Sequence, residues 1–146
     1  MIRTVNDSLT VANRLRPALL RLARELRREV HSLGVTGSQV SLLATIKHHP
    51  AITAAELAER ERVSAPAISG QLGRLEEAKL IARTRGDDRR RNELVLTDEG
   101  ERVLRSVRKR RTAWLAARLD QLTDAERDAV ETALEPLEKL LEADEA

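Results

Sequence analysis

The residues best suited to bind another molecule are two clusters of basic side chains in the middle of the chain. The guanidinium of arginine binds phosphate oxygens through two parallel hydrogen bonds. The clusters comprise Arg83, Arg85, Arg89, Arg90 and Arg91, interrupted by Asp87 and Asp88, and then Arg105, Arg108, Lys109, Arg110 and Arg111. The net charge of +2 conceals them, because residues 60–111 carry 15 basic and 9 acidic side chains whereas residues 112–146 carry 3 and 10. This asymmetry indicates either a nucleic-acid-binding surface or a solvated basic face, and the second cluster can alternatively pair with the acidic last helix.

Catalysis and metal binding have little support in the sequence. The chain has no cysteine, which excludes disulfides, thiolate metal sites, thiol nucleophiles and cysteine-based redox sensing. No Ser/His/Asp grouping, glycine-rich phosphate loop or pair of carboxylates indicates an enzyme. His31, His48 and His49 are poor candidates for one metal ion, because the adjacent histidines point in different directions and no carboxylate cluster is near in sequence. We expect no catalytic residue, no metal site and no cofactor.

The scarcity of aromatic residues and of long apolar runs narrows the partners further. Trp114 is the single aromatic residue, so the chain lacks the stacking surfaces of proteins that bind single-stranded nucleic acid. No apolar run approaches the roughly 18 to 20 residues of a membrane span, and the N-terminus lacks the apolar core of a signal peptide. We therefore expect a cytoplasmic protein with no membrane partner.

Helix signals recur along the whole chain. Apolar residues at steps of three and four predict one helix over about residues 6–32, ended by Gly34. Capping boxes, in which a threonine and the Gln or Glu three residues later bond each other's backbone N–H, begin helices at Thr36, Thr53 and Thr123, and Ser64 caps another with Pro66 in its first turn. Pro17 and Pro136 lie inside the first and last helices, where a kink is expected, and Pro17 can alternatively mark a helix start.

The order of elements predicts a mainly α fold with a small β-hairpin. Leu80–Thr84 and Glu93–Leu96 are the predicted strands, and a long helix begins at Thr97 or Asp98. Residues 36–97 form a winged helix-turn-helix lobe of one chain, 1–146, and residues 1–33 and 98–146 form its flanking dimerisation helices. The leucines expected at the dimer interface are Leu9, Leu15, Leu19, Leu22, Leu134, Leu137, Leu140 and Leu141.

Three short segments make the chain resemble the MarR (multiple antibiotic resistance regulator) family of transcription regulators, and the resemblance covers nearly the whole chain. The family pattern is close to R-L-E-x-x-G-L-V-x-R, then D-x-R, then L-T-x-x-G. The matching residues are Arg74–Arg83, Asp88–Arg91 and Leu96–Gly100. Lys79 replaces the usual glycine of the first segment, and this replacement affects the geometry expected for the turn into the hairpin.

The resemblance implies a homodimer that binds double-stranded DNA at a palindromic site. The matching recognition helix runs from Ser64 to Leu75, and its candidate contacts are Ser64, Ala65, Pro66, Ala67, Ser69, Gly70, Gln71 and Arg74. In the wing, Arg90 matches the residue that enters the minor groove, and Asp88 would orient it. Arg83, Arg89 and Arg91 are expected at phosphates. The alternative partner for Arg74 is Glu77.

Family members often respond to a small lipophilic or aromatic-acid effector, and the resemblance implies a repressor released in this way. Trp114 is the one aromatic residue that such a pocket can use, although core packing is the simpler explanation for it. A winged-helix module that binds protein and has lost DNA binding is the alternative function. Such a module has no reason to keep Arg74 and the wing arginines.

Overall fold

The computed structural model describes residues 5–87 and 91–142 and divides into two compact units, Met1–Arg111 and Thr112–Ala146. The elements are α1 (Val5–Arg28), a 3₁₀ turn (His31–Leu33), α2 (Gly37–His48), α3 (Ala54–Glu61), α4 (Ala65–Glu77), β1 (Ile81–Arg85), β2 (Asn92–Leu96), α5 (Asp98–Leu119) and α6 (Asp124–Glu142). The predicted mainly α fold with a β-hairpin is confirmed. Pro17 and Pro136 lie inside uninterrupted helices.

Two of the three predicted capping boxes are complete. Thr36 accepts from the backbone N–H of Gln39 and donates its own N–H to the Gln39 side chain, and Thr123 and Glu126 do the same. At α3 only half of the predicted box forms, since the Thr53 hydroxyl accepts from the Glu56 N–H at 3.3 Å while the Glu56 carboxylate binds elsewhere, as described below.

The core of the first unit is built from aliphatic side chains alone. Its buried members come from α2, α3, α4, both strands, α5 and the segments that connect them, and Leu43, Leu57, Leu72 and Leu75 are fully inaccessible. No described residue with a polar or charged side chain is buried. Lys47 of α2 and Glu101 of α5 add a half-buried ion pair of 2.8 Å at its edge.

The junction between α4 and the hairpin explains the unusual lysine. Lys79 has a positive φ of 62°, its N–H donates to the Glu76 carbonyl, and the Leu80 N–H donates to that of Leu75. This is the helix ending in which a residue after the cap takes the left-handed conformation, where glycine is usual. The replacement therefore leaves the turn intact but places a side chain in a conformation that L-residues adopt at a cost.

Gly100 is held against this same junction. A methyl group built on Gly100 would lie 2.1 Å from the backbone oxygen of Leu80. The Thr97 N–H donates to that same Leu80 oxygen, and the Thr97 hydroxyl donates to the Lys79 carbonyl at 2.6 Å and accepts from the Gly100 N–H. The Leu-Thr-x-x-Gly segment thus fastens the start of α5 to the end of α4.

The strands pair antiparallel, with Ile81 opposite Leu96 and Arg85 opposite Asn92. Each strand is shifted by one residue at most from its predicted bounds. The Leu94 N–H donates to the Ile52 carbonyl at 2.8 Å, and Thr53 forms an isolated antiparallel β-bridge with Glu93. The hairpin is therefore attached along β2 to the turn that precedes α3.

Helices α1 and α6 contrast with this core. Among their residues with a described side chain, none is buried. The predicted interface leucines are exposed except for Leu15 and Leu137, which are half-buried; the accessible fractions include 59% for Leu9, 52% for Leu134 and 74% for Leu141. Both helices therefore carry apolar side chains that their own units do not cover.

Candidate nucleic-acid interface

The recognition helix α4 is presented by a tight turn. Arg62 ends α3 with a left-handed φ of 55°, and Ser64 then caps α4 by accepting from the Ala67 N–H at 3.3 Å, with Pro66 in the first turn. Ile68, Leu72 and Leu75 anchor the helix in the core. The predicted contact residues outside this stripe are exposed, except Gln71, which is half-buried: Ser64, Ala65, Pro66, Ala67, Ser69, Gly70 and Arg74.

The face of α4 opposite its buried stripe is shallow, because helical spacing places Pro66, Gly70 and Gly73 there. A methyl group at Gly70 or Gly73 would meet nothing within 4 Å. No neighbour within the described chain therefore requires either glycine, and each lowers helix propensity by about 1 kcal/mol relative to alanine. The face is left open to another molecule.

Arg74 lies at the edge of this shallow face. The salt bridges of the described residues include none to Arg74, so the alternative pairing with Glu77 does not form. Its guanidinium is exposed and available to a phosphate or a base edge.

The arginines of the wing differ in their surroundings. Arg83 of β1 pairs with Glu76 of α4, and Arg91, just before β2, pairs with Glu56 of α3. Their predicted phosphate contacts stay predictions, and no signal in the sequence indicated these two pairings. Asp88, Arg89 and Arg90 lie outside the described residues.

The second basic cluster lies on α5. Arg105, Arg108, Lys109 and Arg110 are exposed and form no ion pair with a described carboxylate of the first unit. Nearer the start of α5, Arg102 pairs with Glu99. The hydrogen bond between them raises the pKa of Arg102 and lowers the pKa of Glu99, and their Coulomb attraction acts in the same directions.

Arg111, the last arginine of this cluster, lies instead at a cleft of about 620 Å³ within the first unit. Its Nε donates to the Leu26 carbonyl at 3.2 Å, and burial, with the nearby charge of Arg27, lowers the pKa of Arg111. The lining residues are Arg27, His31, Gly37, Ser38, Val40, Ser41, Leu42, Ala44, Glu61, Val63, Gln71 and Arg111. Gln71 of the recognition helix therefore reaches the cleft, a placement that the sequence did not reveal.

Trp114 belongs to the second unit and is not among the residues of this cleft. It is half-buried, and the Arg118 guanidinium carbon lies 4.7 Å from its ring centroid, a cation–π distance. Its role in a ligand pocket stays a prediction. Among residues 5–87 and 91–142, no three His, Asp or Glu side chains are grouped as a metal site requires, and none of the helices there is long and apolar enough to cross a membrane.

The helix-turn-helix, the hairpin and the exposed recognition surface define a winged helix-turn-helix DNA-binding protein. Residues 33–91 match the family model described as MarR family. The chain is 39% identical over 103 residues to the HTH-type transcriptional repressor MdtR of Bacillus subtilis, covering 70% of this chain and 66% of MdtR. It is 32% identical over 130 residues to an HTH-type transcriptional regulator of Mycobacterium tuberculosis, covering 88% of this chain and 91% of that protein.

A solved structure of a transcriptional regulator from Pseudomonas aeruginosa superposes with a TM-score of 0.82 at 30% identity, covering 94% of this chain and 98% of that one. The chain belongs to the MarR family of HTH-type transcriptional regulators. The family model and the relatives named above are those of transcription regulators, so this chain is a DNA-binding regulator and not an enzyme.

Proposed function

We propose that this protein is a homodimeric cytoplasmic repressor that binds a palindromic operator and is released by a small aromatic or lipophilic acid. The observation that carries the dimer is the set of exposed leucines on α1 and α6. Large apolar patches on a small regulator are covered by a partner, and a second copy offers the same patch under two-fold symmetry. Two recognition helices of such a dimer lie about 34 Å apart, one turn of DNA.

In this proposal α4 enters the major groove and the hairpin enters the neighbouring minor groove. Arg74, which pairs with no described carboxylate, contacts the phosphate backbone or a base edge, while Ser64, Ser69 and Gln71 offer hydroxyl and amide groups to bases. Arg90, oriented by Asp88, inserts into the minor groove, and Arg89 contacts phosphate. The bare surface at Gly70 leaves fewer direct base contacts, so DNA shape carries part of the specificity.

The test begins with selection of operators from a random duplex library by the full-length protein. The selected sequence should be palindromic, and a duplex with only one half-site should bind much more weakly. Light scattering at micromolar concentration should give the mass of a dimer. A monomer would contradict the two-fold operator, and failure to enrich any duplex would favour the protein-interaction alternative.

Arg74→Ala provides the residue-level test, with Arg21→Ala as a matched control because Arg21 is an exposed arginine on α1. Loss of one phosphate contact lowers the salt slope of log K by about 0.9. We expect that change for Arg74→Ala and none for Arg21→Ala in anisotropy titrations over a range of salt concentrations. Equal slopes for the two variants would show that Arg74 contacts no phosphate, and equal affinities as well would remove it from the interface.

The effector part of the proposal is supported by the chemistry of the cleft. Arg27, Arg111 and His31 offer positive or hydrogen-bonding groups, and Val40, Leu42 and Val63 offer apolar ones. A carboxylate there would offset the repulsion between Arg27 and Arg111. Because Gln71 lies on both the cleft and the recognition helix, an occupant of the cleft contacts the DNA-reading element directly.

Salicylate is a suitable probe for this cleft, being an aromatic acid of small size. It should weaken operator binding in anisotropy titrations, and Arg111→Gln should abolish the effect while Arg110→Gln, an exposed neighbour, keeps it. If calorimetry shows that Arg111→Gln binds salicylate as tightly as the parent protein does, the effector site lies elsewhere.

A further inference from the structure

Each side of the hairpin is joined to a different helix by an arginine–glutamate pair. Arg83 Nε of β1 lies 2.8 Å from Glu76 Oε1 of α4, and Arg91 Nη2, before β2, lies 2.5 Å from Glu56 Oε1 of α3. All four side chains are between 36% and 48% exposed. The two pairs are therefore on the surface, one on β1 and the other at the loop end of β2.

The Arg91 pair is joined to the backbone as well. The same Nη2 donates to the Ala51 carbonyl at 3.5 Å, and Ala51 has a left-handed φ of 67° in the turn whose next residue, Ile52, accepts from Leu94. Glu56 reaches Arg91 instead of completing the capping box with Thr53. Its carboxylate is thus used to hold the wing and not to close its own helix.

Surface ion pairs of this exposure contribute little to the free energy of unfolding. These pairs can nevertheless set the direction of the hairpin. Strand β2 is attached to Ile52 and Thr53, and the hairpin extends beyond that attachment. One pair on each side of the hairpin restricts rotation of the hairpin relative to α3 and α4. The direction of the two strands is then set together with the recognition helix.

We propose that Glu56 and Glu76 are positioning residues for DNA binding, which hold Arg91 and Arg83 so that the wing is pre-oriented toward the minor groove. This inference rests on the proposed contact of the wing with DNA. It assigns to two acidic residues a role that strengthens binding to a polyanion. Arg83 and Arg91 then act through the glutamates more than through phosphates.

The opposite assignment, in which the two arginines bind DNA themselves, predicts the opposite change in DNA affinity. If Arg83 and Arg91 bind phosphates directly, each glutamate competes with DNA for its arginine, and removal of the carboxylate should tighten binding. General electrostatics also predicts tighter binding, because loss of a negative charge near DNA reduces repulsion. A weaker complex after removal of a carboxylate is therefore diagnostic of positioning.

The experiment compares Glu56→Gln and Glu76→Gln with the matched controls Glu59→Gln and Glu77→Gln, exposed glutamates on the same two helices. Affinity for the selected operator duplex is measured by fluorescence anisotropy. We expect each test variant to bind about three- to tenfold more weakly, with unchanged affinity or tighter binding for the controls. Melting temperatures should stay within about 4 °C of the parent.

Two further readouts separate positioning from other roles. The salt slope of log K should be unchanged in Glu56→Gln, since no phosphate contact is lost, and Glu56→Asp should recover part of the affinity. Unchanged or tighter binding by both glutamine variants would overturn the inference.

Arg90→Ala distinguishes failure of this inference from failure of the proposed function. If Arg90→Ala weakens binding and the glutamine variants do not, the wing contacts DNA but Glu56 and Glu76 do not position it. If Arg90→Ala also leaves affinity unchanged, the wing contact itself is wrong and the inference falls with it.

Discussion

The winged-helix lobe and the outer helices use the same residue type, leucine, in opposite ways. In the lobe, Leu43, Leu57, Leu72 and Leu75 are fully inaccessible to solvent. On α1 and α6, Leu9, Leu134 and Leu141 are more than half exposed. The lobe thus obtains its hydrophobic stabilisation within its own unit, whereas the outer helices carry apolar area that their own units do not cover.

The largest expected effect separates these two regions directly. Leu72→Ala removes a fully buried side chain and should lower the free energy of unfolding of the lobe by about 2–5 kcal/mol. The control Leu141→Ala, at 74% exposure, should change it by less than about 0.5 kcal/mol. Hydrogen exchange of amides in α2 and α4 measures both. Similar losses of stability in the two variants would contradict the contrast between the lobe and the outer helices.

A second test uses two helical glycines of the first unit. Gly100→Ala forces a methyl group against the Leu80 carbonyl and should destabilise the lobe by about 1–3 kcal/mol. Gly73→Ala meets no atom and should stabilise the free protein by up to about 1 kcal/mol through helix propensity. Urea denaturation gives both values. The prediction fails if the two substitutions have the same sign.

A smaller gain is expected at the turn between α4 and β1. Lys79→Gly relieves the left-handed conformation at φ 62° and should raise the free energy of unfolding by about 1 kcal/mol. Ala78→Gly, one residue earlier at φ −75°, should lower it, because glycine there adds only unfolded-state freedom. Thermal denaturation distinguishes the pair, and a gain from both would contradict the conformational explanation.

The smallest effect concerns the cap of α6. Hydrogen bonds from the Thr123 backbone and side chain lower the pKa of Glu126. A carboxyl with a depressed folded pKa stabilises the fold above its unfolded pKa, and that contribution is lost as pH falls through the folded pKa. Carbon NMR should place the Glu126 midpoint below the ordinary value of about 4.3. A midpoint at or above that value would show that the capping box is not formed in solution.

Local signals in the sequence proved sufficient for most of the elements. Thr36 and Thr123 begin their helices as predicted, because capping depends on side chains three residues apart. The Thr53 box is incomplete because Arg91, 35 residues away from Glu56, takes the carboxylate. Similarly, α1 ends at Arg28, earlier than the pattern predicted, and a 3₁₀ turn leads to Gly34.

The sequence by itself determined the class of protein, the order of its elements and the basic middle of the chain, since periodicity, caps and short segments are local properties. Only the tertiary structure decided the partners of the charged side chains. Arg74 is free of described carboxylates, Arg83 and Arg91 are paired, and Arg111 turns into a cleft with Gln71. These assignments depend on contacts between residues far apart in the chain, which no local pattern records.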